Sequence, residues 1–408
     1  MSLDPPGIQG KGSVRVMATA PTAVIALDAS ELVVNRVLVG SRPVSFESTR
    51  SQVCVTLPEP LAPGRALTLQ LEWQASTSRT TPKFSKDDVW AGYHTSAWMP
   101  TLQDAAQRAT LSLRIVADGA LKVSASGREA GHQALADGRV GRSFVLDRPT
   151  PPFLYAFAAG RFEAAELRVD EVRLRAFGPP GADLNGALQA TGAMYRFLSG
   201  KLGVPHPWQE YVQVFTRTDV AQEAAGMALI GAQSLADRRA DPEDDWIFIH
   251  ELSHQWFGWM VQCADFADFW LNEGFATFMV GAFKEARWGA AAYERELENW
   301  RQRSAKAHAE GKDAPVALSS STGEARVAPR DDQLQSRGIT YFRGALVLHR
   351  LRTELGDEVF WRGIRGYVAG FAGKSARTLD LRRALETASG RDLSPFFERW
   401  VYSVASEP

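Results

Sequence analysis

Residues 248–258, which read FIHELSHQWFG, constrain this chain more than any other stretch, because they contain the pattern H-E-x-x-H on a predicted helix. Residues four apart on an α-helix lie one turn apart on the same face, so His250 and His254 can bind one metal ion together. Glu251 lies on the neighbouring flank, where its carboxylate can reach a water molecule at the metal. A core helix with two hydrogen-bonded histidines is the structural alternative for these five residues.

A second acidic residue follows where a third metal ligand is needed. Glu273 stands in the segment WLNEGFA, after His254. A second helix that returns antiparallel after a loop would place its carboxylate beside the two histidines. Two histidines and one carboxylate, with an open fourth position, are the ligands of a catalytic zinc site rather than of a closed structural one. The sequence therefore predicts one zinc ion held by His250, His254 and Glu273.

The two segments together resemble the gluzincin aminopeptidases, the family of alanyl aminopeptidase and leukotriene-epoxide hydrolase. Its members carry H-E-L-x-H-Q-W-F-G and then W-L-N-E-G-F-A at this spacing, and both segments stand here almost letter for letter. The resemblance implies zinc-dependent hydrolysis of amide bonds, with Glu251 as the general base that passes a proton to the leaving amine. The segment ITYFRGA resembles the family's Y-x-K-G-A, with Arg343 in the lysine position. It implies that Tyr341 stabilises the oxyanion that forms in the transition state.

The pattern of apolar residues divides the chain into two parts. Short segments with period-two alternation, separated by turn formers, fill the first part and are typical of an antiparallel sandwich or saddle. Near residues 178–181, which read GPPG, the pattern becomes helical. We therefore predict an α+β multidomain chain, with an N-terminal antiparallel β-sandwich or saddle domain at 1–176 and a zinc catalytic domain at 177–408. The resemblance implies that the second domain is thermolysin-like and mainly helical.

The resemblance extends over nearly the whole chain. Residues 98–104 and 149–157, WMPTLQD and PTPPFLYAF, are similar to segments of the family's N-terminal domain. The likeness ends near Trp400, where the family's catalytic domain ends. We therefore expect this to be a short form without the large helical C-terminal domain of many relatives, and we expect its substrate cleft to be more open.

The segment that should recognise the substrate departs from the family pattern. Relatives have G-x-M-E-N, an extended edge strand that pairs with the substrate backbone and whose glutamate binds the free α-ammonium. Here alanine and leucine stand at the glutamate and asparagine positions. The resemblance thus implies altered recognition of the substrate amine by four candidate substrate-binding residues: Gly226, Met227, Ala228 and Leu229. Glu223 is an alternative anchor, provided that the register of the strand is shifted.

Three functions are compatible with these residues. The first is a metallopeptidase that resembles aminopeptidases and acts on a peptide or a small amide. The second is a zinc hydrolase of a special small amide or ester in a biosynthetic pathway. The third is a non-catalytic scaffold, although such a relative is expected to lose a ligand or the base, and none is lost here.

Composition narrows the possible partners and the compartment. The formal net charge of -1 provides no electrostatic attraction for nucleic acid or an anionic membrane. No apolar run approaches the roughly 20 residues that span a bilayer, and the first residues do not resemble a signal peptide. Cys54 and Cys263 have no partner at metal-ligand spacing, so we expect reduced thiols and a cytoplasmic location. The oligomeric state cannot be derived from the sequence.

Overall fold

The computed structural model describes residues 1–319 and 335–404, and the chain forms two compact units. Unit 1 comprises residues 1–103, 107–162 and 216–218, and unit 2 comprises 104–106, 163–215 and the residues from 219 onward. Residues 319–337, which the sequence predicts to form a loop, fall largely on positions 320–334, outside the described residues. No helix of the described ranges is long and apolar enough to cross a membrane.

Unit 1 is built from antiparallel strands. In chain order these are β1 (Ser2–Leu3), β2 (Pro6–Met17), β3 (Thr22–Asp28), β4 (Val33–Val39), β5 (Arg42–Pro43), β6 (Phe46–Ser48), β7 (Gln52–Leu61), β8 (Ala66–Ala75), β9 (Lys83–Phe84), β10 (Asp88–Ala91), β11 (Ala109–Asp118), β12 (Lys122–Ala125), β13 (Arg128–Ala134), β14 (Arg139–Thr150) and β15 (Phe157–Gly160). Their sheets have the orders β1-β2-β8-β4-β5, β3-β7-β6, β12-β15-β10-β9 and β11-β14-β13.

Period-two alternation explains how these strands form a core. In β7 the side chains of Val53, Val55 and Leu57 are buried, while those between them are more exposed. They pack with buried residues of neighbouring strands, such as Leu27 and Leu69. Burying one such side chain contributes about 1.5–3 kcal/mol, so a few rows of them can hold two sheets together.

Unit 2 begins with a mixed sheet whose strands are β16 (Glu163–Val169), β17 (Val172–Gly178), β18 (Glu210–Thr216), β19 (Ala221–Ala224) and β20 (Met227–Gly231). Their order is β16-β17-β18-β20-β19, and β17 and β18 are parallel. The domain boundary predicted between residues 176 and 177 falls inside β17. The assignment of a separate function to each side of this boundary stays a prediction.

Helix α1 (Leu184–Leu202) connects the parallel pair, because parallel neighbours need a crossover. The Asp183 carboxylate accepts a hydrogen bond from the N–H of Gly186 and caps its first turn. One face of the helix is buried, and the left-handed Gly203, at φ 67°, ends it.

Helices make up most of the remaining described residues. They are α2 (Gln233–Ala240), α3 (Trp246–Ser253), α4 (Trp270–Trp288), α5 (Ala290–Ala309), a π-helix (Gly338–Arg343), α6 (Gly344–Leu355), α7 (Asp357–Phe371), α8 (Thr378–Ser389) and α9 (Ser394–Trp400). Strands β21 (Val261–Cys263) and β22 (Lys374–Ala376) form a two-stranded parallel sheet among them. The predicted multidomain chain, β-rich in its N-terminal part and helical in its C-terminal part, is confirmed.

Candidate metal centre and active site

Helices α3 and α4 bring the three predicted metal ligands together. His250 lies in the last turn of α3 and His254 directly follows that helix, while Glu273 lies in the first turn of α4. The Nε2 atoms of the two histidines are 3.2 Å apart. The Oε2 atom of Glu273 lies 3.4 Å from the Nε2 of His250 and 3.6 Å from that of His254. Three potential ligand atoms thus converge on one buried point.

The segment after α3 fixes the orientation of the second histidine. The Nδ1–H of His254 donates to the carbonyl oxygen of Phe257 at 3.0 Å, which leaves the lone pair of Nε2 directed into the site. The chain turns at Gly258, where φ is 134°. A Cβ there would lie 3.3 Å from the His254 carbonyl oxygen and 3.4 Å from its Nδ1, so glycine permits this close approach.

Two aromatic rings hold the first histidine. The His250 imidazole stacks on Trp246 with ring centroids 4.3 Å apart and on Tyr341 with centroids 5.5 Å apart. We did not predict Trp246 as a site residue, although its position one turn before His250 on α3 is a usable signal. The stacking restricts rotation of the imidazole and brings Tyr341 beside the ligand cluster.

Burial sets the protonation of the ligand cluster. It lowers the pKa of His250 to about 3 and that of His254 to about 4, so both imidazoles are neutral at pH 7. Their short distances to Glu273 are therefore not ion pairs. Burial also raises the pKa of Glu273 above its usual value.

The cluster fits a zinc ion. Two neutral imidazole nitrogens and one carboxylate oxygen are the donor set of a catalytic zinc centre. The buried Oε2 atom of Glu273 has no hydrogen-bond partner among the described residues, although buried polar atoms are normally paired. A cation at the point where the three atoms converge would satisfy it.

The two predicted catalytic residues lie next to this cluster. Glu251 is 3% exposed, and burial followed by the charge of Glu273 raises its pKa well above the usual value. The Tyr341 side chain interacts with Glu273 and lowers the pKa of that carboxyl, which opposes the effect of burial. Burial and then the charge of Glu273 raise the pKa of Tyr341 well above 10, so its phenol stays protonated and can donate.

A π-helix positions Tyr341. π-Helical turns are rare and are found mostly at functional sites. Arg343 lies in the same turn and is 3% exposed. Its guanidinium forms an ion pair with Asp313 and donates a hydrogen bond to the hydroxyl of Ser304 at 3.1 Å. These contacts hold the turn that carries Tyr341.

The prediction that residues 226–229 form an edge strand is wrong. Gly226, at φ 74°, is in the turn between β19 and β20, and the next three residues, Met227, Ala228 and Leu229, are in β20. Strand β20 lies between β18 and β19, so both of its sides are hydrogen-bonded and it cannot pair with a substrate backbone. Ala228 is fully buried in the hydrophobic core of unit 2. The edge strand next to β20 is β19.

The edge strand carries Glu223, the residue that the sequence suggested only as an alternative anchor. Its carboxylate oxygen, that of Glu251 and a ring nitrogen of His254 all lie within 4.8 Å of one another. Burial raises the pKa of Glu223 well above the usual value, and the charges of Glu273 and Glu251 raise it further. Three carboxylates thus share one buried region, which is unfavourable unless cations join them.

Gln255 connects this hairpin to the metal-binding helix. Its side-chain oxygen accepts a hydrogen bond from the N–H of Gly226 at 3.1 Å, and its side-chain nitrogen donates to the carbonyl of Ala224 at 3.1 Å. Gln255 follows His254 directly. The turn next to Glu223 is therefore held at a fixed distance from the ligand cluster. We did not predict this role, and only the adjacency of Gln255 to the motif could have indicated it.

Comparison with known proteins identifies the family of this chain and agrees with its fold. The chain matches the peptidase family M1 domain over residues 186–400. It is 29% identical to aminopeptidase N of Streptomyces lividans over an alignment of 233 positions, which covers 54% of this chain and 26% of that protein. It is 22% identical to aminopeptidase 2 of Candida albicans over an alignment of 426 positions, which covers 97% of this chain and 45% of that protein.

A solved structure covers almost the whole chain. The M1 zinc metallopeptidase from Deinococcus radiodurans is 25% identical, has a TM-score of 0.78, and matches 99% of this chain and 91% of its own. The family match covers more than half of the chain, so the chain belongs to peptidase family M1. The predicted resemblance to the gluzincin aminopeptidases is confirmed. The chain spans less than half the length of the two aminopeptidases described above.

Proposed function

We propose that this protein is a zinc-dependent metallopeptidase of the aminopeptidase type, which hydrolyses the amide bond after a free N-terminal residue. The observation that carries the proposal is the convergence of two neutral imidazoles and a carboxylate within 3.2–3.6 Å, with a second carboxylate and a phenol beside them. Membership of family M1 supports the reaction class. We further propose that the helical unit is thermolysin-like, which the H-E-x-x-H helix α3 and the glutamate on α4 support.

We propose that the Nε2 atoms of His250 and His254 and the Oε2 atom of Glu273 hold one zinc ion. When bound, zinc supplies a Lewis acid for the scissile carbonyl and the water that attacks it. The hydrogen bond from His254 to Phe257 and the stacking of His250 on Trp246 support this proposal, because they orient both imidazoles toward the ion.

Glu251 is the proposed general base. Its carboxylate accepts a proton from the attacking water and donates it to the leaving amine nitrogen. Burial and the nearby Glu273 raise its pKa, which makes it a stronger base than an exposed glutamate.

Tyr341 is the proposed donor to the oxyanion. Its raised pKa keeps the hydroxyl protonated, so it can donate a hydrogen bond where negative charge develops. Stacking on His250 and the π-helical turn support a fixed position for the phenol. A preorganised donor does not have to reorient during the reaction.

We propose that Glu223 binds the α-ammonium of the substrate. Glu223 lies on the edge strand, and its carboxylate is close to Glu251 and His254. This closeness supports a site for the ammonium of the residue whose carbonyl is attacked. In this proposal the enzyme still binds the substrate amine. It does so through Glu223 of β19 rather than through a residue of the segment 226–229. A two-domain M1 zinc metallopeptidase variant, 25% identical to this chain, was crystallised with L-arginine, which supports recognition of an amino acid.

The remaining proposals concern the substrate and the compartment. A peptide is the proposed substrate, and a small amide or ester of a biosynthetic pathway is the second candidate. The second candidate would be favoured if the ammonium site were lost, and the position of Glu223 argues against that loss.

Cys54 and Cys263 are both in the thiol form, which supports the proposed reducing cytoplasm.

Digestion of a mixed peptide library by the zinc-loaded protein tests the proposal. We expect removal of N-terminal residues one at a time, no cleavage at internal bonds, and cleavage of N-acetylated members that is slower by roughly 100-fold or more. The Glu251→Gln protein, loaded with zinc in the same way, is the matched control and should release nothing. Internal cleavage, or equal cleavage of acetylated peptides, would contradict the aminopeptidase assignment.

A further inference from the structure

Arg337 lies at the entrance to the π-helix, one helical turn before Tyr341. Its guanidinium carbon is 4.6 Å from the centroid of the Tyr341 ring. The side chain is exposed. In the part of the chain that the structure describes, the guanidinium forms no ion pair with a carboxylate. An arginine with unused donors therefore lies next to the proposed oxyanion-binding phenol.

The charge of this arginine acts on the whole site. Burial raises the pKa of Glu223, Glu251 and Glu273, and the positive charge of Arg337 opposes that rise for all three carboxyls. Arg337 is the basic side chain whose charge acts on all three of these groups. The site therefore has a negative side at the glutamates and a cationic group beside Tyr341.

We propose that Arg337 binds a carboxylate of the substrate on the leaving-group side of the scissile bond, so that the enzyme prefers short peptides with a free C-terminus. The proposal rests on the aminopeptidase function proposed above and names the substrate class of the same site. A short peptide is a zwitterion whose two charges match the two sides of the site. Its ammonium contacts Glu223, and its carboxylate contacts Arg337.

The dimensions of a peptide fit this arrangement. The scissile carbonyl lies at the Tyr341 hydroxyl, and the guanidinium lies against the ring of the same side chain. An extended chain advances about 3.3–3.6 Å per residue. The carboxylate of a residue one or two positions beyond the scissile bond can therefore reach Arg337, which describes a dipeptide or tripeptide.

The chemistry of the guanidinium also favours a carboxylate. Its planar fork of N–H donors matches the two oxygens of a carboxylate and forms two parallel hydrogen bonds. The side chain is exposed, so water and salt weaken this contact compared with a buried pair. A moderate preference that falls with ionic strength is the expected result.

Matched peptides measure this preference. Ala-Ala-Ala and its C-terminal amide differ only in the terminal carboxylate. The ratio of their kcat/KM values therefore measures the preference for that carboxylate. A second pair, Ala-Asp-Ala amide and Ala-Asn-Ala amide, reports instead on a side-chain carboxylate. We expect the wild-type protein to prefer the free carboxylate roughly tenfold at low salt, and the preference to fall as salt is added.

Substitutions then assign the preference to one side chain. Arg337→Gln should bring the ratio of the two kcat/KM values close to one. Arg337→Glu should reverse the preference in favour of a peptide with a cationic C-terminal aminoethyl amide. Arg383→Gln removes a positive charge from an exposed position on α8 and is the matched control, with the wild-type ratio.

Three results would overturn the inference. The first is a wild-type ratio near one for both pairs. The second is a ratio that persists in Arg337→Gln. The third is an equal loss on acid and amide substrates, which would mean that Arg337 acts through the Tyr341 ring.

Absence of turnover on every peptide would contradict the proposed function instead. In that case calorimetric binding of the same peptide pairs to wild-type and Arg337→Gln protein decides the inference. Tighter binding of the acid that is lost in the variant supports it, and equal binding overturns it.

Discussion

Glu223 of β19 and Ala228 of β20 are direct partners across the hairpin. Side chains of such a pair lie on one face of a sheet, with Cβ atoms about 4.5–5.5 Å apart. Ala228, the position at which the family pattern predicts a glutamate, is therefore paired directly with Glu223. The sequence has no glutamate at position 228, and the Glu223 carboxylate of the edge strand lies near Glu251 and His254 instead.

Replacing Glu223 tests its proposed role. A charge-assisted hydrogen bond to an ammonium contributes about 1.5–3 kcal/mol, so Glu223→Gln should lower kcat/KM for a free aminoacyl arylamide by roughly 10–150-fold. The N-acetylated arylamide should be affected far less. The double variant Glu223→Ala/Ala228→Glu moves the carboxylate to the paired position and should restore part of the preference. An equal loss on both substrates would assign Glu223 to stability rather than to amine recognition.

The metal content of two variants distinguishes the proposed metal ligand His254 from the proposed general base Glu251. His254→Ala removes a ligand and should release the metal, whereas Glu251→Gln should keep it and lose turnover. Elemental analysis of protein purified without chelator should find one zinc per chain for the wild type and for Glu251→Gln. Treatment with a chelator should abolish activity, and added zinc should restore it. A zinc ratio near zero that excess zinc cannot raise would contradict the ligand assignment.

Removal of one hydroxyl tests the oxyanion assignment. Tyr341→Phe keeps the ring that stacks on His250 and removes only the donor. We expect kcat to fall by about 10²–10³-fold with little change in KM, because the hydrogen bond forms mainly in the transition state. Steady-state kinetics on one arylamide give both constants. A change confined to KM would make Tyr341 a substrate-binding residue.

A buried aspartate before α3 should make stability depend on pH. Burial raises the pKa of Asp245 from its usual value to about 6. The ionised form is thus less favourable in the folded protein, and stability should decrease as the pH rises from about 4 to about 6. Asp245→Asn removes this loss and should be more stable than the wild type at pH 7 by about 2–3 kcal/mol, with little difference at pH 4. Urea unfolding at the two pH values measures it, and an equal difference at both would contradict the account.

The metal cluster could be predicted from the sequence because its information is local. The four-residue spacing of His250 and His254 places them on one face of a helix, and Glu273 follows in a segment with its own recognisable pattern. The order of the strands is not local. The sequence predicts one extended strand through Gly226 and shows neither the turn at that glycine nor which strand lies at the edge, so the anchor was placed on the wrong strand.

Other site residues depend on tertiary packing. Trp246 could have been found from its spacing to His250, since residues four apart on a helix are neighbours. Arg337 could not, because its position over Tyr341 depends on a π-helical turn that no simple periodicity predicts. The contacts of Gln255 with the hairpin likewise join segments that are distant in the chain.

The central claim, an aminopeptidase whose amine anchor is Glu223, is tested most directly by one ratio. The measurement is kcat/KM of the zinc-loaded wild-type protein for alanine p-nitroanilide, divided by the value for N-acetylalanine p-nitroanilide. The account predicts a preference for the free amine of roughly 100-fold or more, as expected for a buried carboxylate that binds an ammonium. A ratio near one, or a preference for the acetylated substrate, would contradict it.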